Sequence, residues 1–113
     1  MNTPLEKMLS ERPWILADGA TGTNLFNMGL LSGDAPELWN EQHPERIREL
    51  YQMAVDAGSD LFLTNSFGGN ASRLKLHDQA HRAFHLSKIS AEIGRDVADK
   101  TEQDIIVAGS VGP

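Results

Sequence analysis

No cysteine occurs among the 113 residues. Disulfides are therefore excluded, and no thiolate of this chain can ligate a metal or act as a nucleophile. No apolar run approaches the roughly 18 residues a membrane-spanning helix requires, so no membrane partner is expected. The N-terminus lacks a basic segment followed by an apolar core, so no secretory signal is read there. Basic residues are few and scattered: ten Lys and Arg stand against sixteen Asp and Glu, for a formal net charge of −6. Binding nucleic acid needs clustered cations to neutralise phosphates, so no nucleic-acid partner is expected. The P-loop and the dinucleotide fingerprint are both missing. A cytoplasmic setting fits a cysteine-free chain of this kind.

What remains is ordinary for a soluble globular domain: 40% hydrophobic and 23% charged residues. The length allows one small domain. Most of the ten glycines fall between apolar runs, a pattern of tight strand–helix turns rather than of a flexible linker.

Thr3, Pro4 and Glu6 predict a short first helix with a cap, a first-turn proline and a reciprocal capping partner. Trp14-Ile15-Leu16-Ala17 is an apolar run of strand length, followed at once by Asp18-Gly19-Ala20-Thr21-Gly22-Thr23. Such a run before a Gly-rich turn predicts a parallel strand covered on both faces. An irregular stretch is expected from there to about His43. Residues Pro44 to Ala57 predict a helix, because Ile47, Leu50, Tyr51, Ala54 and Val55 share one face, and Gly58 suits the position past its end. A second strand is expected over Asp60–Thr64, and a short helix over Ala71–His77. Asp78 is a candidate cap for the next helix, which Ala83, Leu86, Ser90, Ile93 and Val97 extend to about Lys100. A third strand is expected over Asp104–Ala108. Alternation of this kind implies a parallel α/β sheet. Three parallel strands cannot close a barrel and leave open edges, so an incomplete domain is expected.

Three motifs directly follow the three predicted strands: Asp18-Gly19-Ala20-Thr21-Gly22-Thr23, Thr64-Asn65-Ser66-Phe67-Gly68-Gly69-Asn70, and Ala108-Gly109-Ser110-Val111-Gly112-Pro113. In this order and spacing, and with Pro36-Glu37-Leu38-Trp39-Asn40 between the first two, the chain resembles the homocysteine S-methyltransferase family. The likeness runs from Leu16 to Pro113. It implies that residues 1–113 are the N-terminal part of a homocysteine-binding (β/α)8 TIM barrel, truncated after the third strand. It implies zinc held by three cysteines of later strands, with the homocysteine sulfur bound to the metal as the thiolate nucleophile. Those cysteines are not in this chain. Activity is therefore expected of a full-length protein, and these residues alone are expected to be inactive. The partners implied are homocysteine and a methyl donor, with further domains or a separate methyl-donor subunit.

Strand-end residues are the candidates for binding substrate. Asp18 can pair with an ammonium group, and the backbone N–H groups of Gly19 and Ala20 can take a carboxylate. An amino acid carries both charges, and the resemblance gives this turn the amino-acid end of homocysteine; the plainer reading is that Asp18 caps the turn. Thr64 and Asn65 end the second strand. Asn65 can orient a substrate or fix a neighbouring loop. Ser110 is a weaker candidate, since a serine in such a turn is more often structural. In betaine enzymes of the family an aromatic residue follows the phenylalanine of the second motif, suited to a quaternary ammonium. Gly68 stands there instead, which favours a corrinoid or folate methyl donor. Trp39 can offer an aromatic face, but packing of its loop is the expected role. His77, His81 and His85 are spaced by four, yet Asp78 breaks the helix they would share, so a solvated face is expected and no metal ligand is assigned.

Two other functions compete. A phosphate-handling enzyme is suggested by the Asp18–Thr23 turn, but its Thr-Gly-Thr run stands one residue too far and no second acidic cluster for Mg²⁺ follows. A non-catalytic remnant of the barrel, serving as an interaction module, is the alternative that the missing cysteines favour if the chain is complete.

Overall fold

The computed structural model describes residues 3–113. Helix α1 spans Pro4–Glu11 and opens with the predicted capping box: the Thr3 hydroxyl accepts the Glu6 N–H, and the Glu6 carboxylate accepts the Thr3 N–H.

The first predicted strand is the main departure. Residues 14–17 form no regular strand, and a single parallel bridge, Ala17 to Leu61, joins them to the sheet. The Leu16 carbonyl accepts the N–H groups of Asp60 and Leu61, and the Asp18 N–H donates to the Leu61 carbonyl. Trp14 and Leu16 are exposed. The sequence pattern predicts a strand covered on both faces, whereas Trp14 remains 68% and Leu16 44% exposed.

The stretch expected to be irregular contains helix α2 (Thr21–Asn27), a 3₁₀ turn at Pro36–Leu38 and helix α3 (Trp39–Gln42). Residues Thr21-Gly22-Thr23-Asn24 have poor helix propensity. Leu25, fully buried in the core, holds α2 in place by tertiary packing.

Helix α4 spans Pro44–Asp56 and buries Ile47, Leu50, Tyr51 and Val55 on the predicted face. Gly58, at φ +93°, turns the chain into strand β1 (Leu61–Leu63). β1 pairs in parallel with β2 (Ile106–Ala108), with Leu61 opposite Ile106 and Leu63 opposite Ala108. Between them lie helix α5 (Ala71–Leu74), a 3₁₀ turn at Lys75–His77, another at Ala80–Arg82, and helix α6 (Ala83–Asp99). Asp78 does not cap α6, contrary to expectation. It sits in the left-handed region at φ +56° and ends the turn before it.

The core lies between the sheet and the α4–α6 pair. Phe62 is fully buried and stacks on Tyr51 with ring centroids 4.7 Å apart. Ile93 and Val97 of α6 complete the cluster, with Val107 packed against it. The architecture is α/β, with a small parallel sheet backed by helices. Among the described residues no helix is long and apolar enough to cross a membrane.

Candidate functional site

The carboxyl ends of the strands bring the predicted residues together. Asp18 ends the first strand segment, and its Oδ1 accepts the Leu63 N–H of β1 at 3.2 Å. Burial raises the Asp18 pKa above the usual 3.8, and backbone hydrogen bonds oppose that rise. Low-dielectric surroundings disfavour the lone carboxylate, so a cationic partner would find a poorly solvated anion. Gly19 and Ala20 follow in an exposed turn. A side chain at Gly19 would meet nothing within 4 Å, and Ala20 is in the left-handed region at φ +58°.

Thr64 is buried after β1 and forms part of a closed ring of hydrogen bonds. The Ser110 N–H donates to Thr64 Oγ1 at 3.3 Å, and the Ser66 hydroxyl donates to the Ser110 carbonyl at 2.9 Å. Thr64 Oγ1 and Ser66 Oγ lie 2.6 Å apart. The Ser66 proton is committed to a carbonyl, which only accepts, so Thr64 must be the donor between the two hydroxyls. Ser110 thus enters this arrangement through its backbone. One serine among polar loop residues carries no signal of its own in the sequence, so only the fold brings Ser66 into this ring.

Asn65 is buried, and its side chain bonds to the neighbouring loop. Its Nδ2 donates to the Pro36 carbonyl and to Asn40 Oδ1, both at 2.9 Å. Asn40 Nδ2 returns bonds to the carbonyls of Asn65 and Leu86. The Tyr51 hydroxyl accepts the Asn65 N–H at 2.8 Å and donates to the Ser90 carbonyl. Asn65 thus joins the end of β1 to the Pro36–Asn40 segment. Asn40 and Glu37 lie in the Pro36–Asn40 segment that carries the family resemblance, but nothing in the sequence gives either a site role. Glu37 is only 6% exposed, and its Oε2 accepts the Gly68 N–H at 3.0 Å.

Trp39 is buried in the core, with the Arg46 guanidinium over its ring at 4.7 Å, so it packs its loop rather than offering a free face. His85 pairs with Glu41, which also pairs with Arg82, and these two partners hold the Glu41 carboxyl down at about 2. Among the described residues no group of three or more His, Asp or Glu side chains could hold a metal ion. The residues present do not fit a zinc site, since thiolate ligands are also lacking. A cavity of about 630 Å³ lies at the opposite end of the strands, between α1 and residues 101–106. A cleft of about 330 Å³ reaches Asp18 and Gly19 from the α4 side.

Comparison with known proteins bears on this strand-end geometry. The sequence profile described as Homocysteine S-methyltransferase matches residues 15–113. The chain is 35% identical over 121 residues to methionine synthase of Mycobacterium tuberculosis, covering 99% of this chain and 10% of that protein. It is 31% identical over 124 residues to homocysteine S-methyltransferase YbgG of Bacillus subtilis, covering 97% and 39% respectively. The crystal structure of the homocysteine methyltransferase MmuM from Escherichia coli, in its metallated form, matches with a TM-score of 0.81 at 28% identity, covering 98% of this chain and 42% of that one. The chain thus spans between a tenth and about two fifths of these relatives. The profile takes in all three strand-end motifs and the loop that clamps the second of them, and on that extent of agreement the chain belongs to the homocysteine S-methyltransferase family.

Proposed function

We propose that these residues form the first three β/α units of a (β/α)8 barrel and bind the amino-acid end of homocysteine in a methyltransferase. The observation that carries the reading is the half-buried Asp18 carboxylate at the strand ends, with one oxygen tied to the neighbouring strand. Asp18 pairs with the substrate ammonium, and the Gly19 and Ala20 amides take its carboxylate. The hydroxyl ring supports the same polarity. Thr64 and Ser66 spend their protons on each other and on Ser110, so they meet a ligand as acceptors, which suits an ammonium. Asn65 and the Ser110 backbone hold these groups in register.

In the reaction, the homocysteine sulfur forms a bond to the donor's methyl carbon as the bond between that carbon and the donor breaks, giving methionine. The residues of this chain bind and orient the nucleophile; among the described residues no cluster supplies metal ligands. A side chain at position 68 would come within 2.8 Å of the Glu37 carboxylate. Gly68 offers no aromatic wall for a quaternary ammonium, which supports a corrinoid- or folate-borne methyl group delivered by a further domain or subunit.

The test is Asp18→Asn in the full-length protein. A charge-assisted hydrogen bond contributes ~1.5–3 kcal/mol, so L-homocysteine affinity measured by calorimetry should fall roughly tenfold to hundredfold. Unchanged affinity would sink the assignment.

A further inference from the structure

We infer that Glu37 is a positioning residue: its buried carboxylate clamps the loop after β1 and so holds the strand-end edge in shape for its ligand. This rests on the homocysteine reading of that edge. The loop runs from Thr64 to Asn70. At its start it carries the hydroxyl ring, in which Thr64 and Ser66 lock onto Ser110. Beyond Ser66 the backbone has no sheet partner, and its amides must be satisfied in another way. Glu37 supplies one acceptor, taking the Gly68 N–H.

The fit around this bond is close. A Cβ added at Gly68 would lie 2.8 Å from Glu37 Oε1, and one added at Gly69 would lie 2.6 Å from Ser87 Oγ. Ser87 in turn donates to the Gly69 carbonyl at 3.1 Å. Across the loop, a Cβ at Gly112 would meet the Phe67 carbonyl at 2.4 Å. Glycines thus stand where neighbouring groups press against the loop from three sides. Among the described residues Glu37 makes no ion pair with a cation. The one hydrogen bond its side chain makes among the described residues goes to this loop. The Pro36–Asn40 segment reinforces it, because Asn65 and Asn40 tie the same two stretches together at the loop's other end.

The role requires an acceptor at position 37, not a charge. Glu37→Ala and Glu37→Gln in the full-length protein separate the two. Two readouts apply: amide hydrogen exchange at residues 67–70, and the Kd for L-homocysteine. Exchange should accelerate at least tenfold in Glu37→Ala and affinity should fall about tenfold, while Glu37→Gln stays within about threefold of the unsubstituted protein on both. Thermal melts guard against global unfolding, and the glutamine variant remains interpretable if the alanine variant fails to fold. Unchanged exchange in Glu37→Ala, faster exchange with unchanged affinity, or a glutamine variant as impaired as the alanine one would each overturn the inference. Failure of the unsubstituted protein to bind L-homocysteine would instead remove the homocysteine reading, and the exchange comparison alone would then decide whether Glu37 holds the loop.

Discussion

Asp18 is subject to opposing effects. Desolvation favours its neutral form, while the Leu63 N–H and its own backbone favour the anion, and desolvation wins. A carboxyl whose folded pKa lies above its unfolded value binds a proton more tightly in the folded chain. Its contribution to stability is therefore full below 3.8 and is lost as pH rises through the raised value. Ligand binding runs the other way, because an ammonium pairs with the ionised form. Homocysteine affinity should be full above the raised pKa and decline as pH falls through it. A titration of Kd against pH in the full-length protein should show this decline beginning above the ordinary aspartate range. The same titration of Asp18→Asn should lack it; an identical acid limb in both proteins would assign the titration to another group. The sequence pointed to Asp18 through its place after an apolar run. The ring formed by Thr64, Ser66 and Ser110 was not legible, because it joins residues up to 46 positions apart through hydroxyl contacts that leave no periodicity.

At the scale of elements, burial alternation and capping predicted well where packing and local propensity agree. Helix α4 has its apolar face, its first-turn proline and its terminal glycine in place, and it formed over Pro44–Asp56. Helix α2 lacks such agreement and formed through the burial of Leu25. Helix α6 contains a glycine whose purpose is visible only in the fold. A Cβ at Gly94 would lie 3.0 Å from Val107 Cγ1 and 3.2 Å from Phe62 Cε1, so this glycine sets how closely α6 approaches the sheet. Ala at 94 would gain up to ~1 kcal/mol of helix propensity against a small steric displacement. Leu has no such room, and overpacking typically costs about 1–3 kcal/mol. In the full-length protein, Gly94→Leu should therefore lower the denaturant midpoint, with a destabilisation at the upper end of that range. No shift in midpoint would mean that the α6–sheet contact is looser than its geometry indicates.

For the whole 113 residues, the sheet is the weak point. The first segment contributes one bridge, and β2 pairs only with β1 among the described residues. Leu16 and Leu63 are each more than 40% exposed, and Phe67 and Val111 still more. Unpaired strand edges beside apolar surface invite pairing with other chains, and a chain this small buries little apolar area to offset its ordering entropy. Taken by itself, the 113-residue chain is expected to self-associate or melt over a broad range. Sedimentation and a thermal scan would check this; a monomer with a sharp two-state melt would contradict it.

The sequence by itself determined the alternation of helices and strands, the family and the strand-end candidates. These follow from local signals: side-chain period, caps, glycine turns and the spacing of three motifs. Only the tertiary structure decided that the first strand is held by one bridge, that Asn65 bonds to the Pro36–Asn40 segment, and that Glu37 is buried against Gly68. The physical reason is the same for all three. Burial and hydrogen-bond satisfaction depend on which distant segments meet, and a polar residue in a loop looks alike in sequence whether it ends in solvent or beneath another loop.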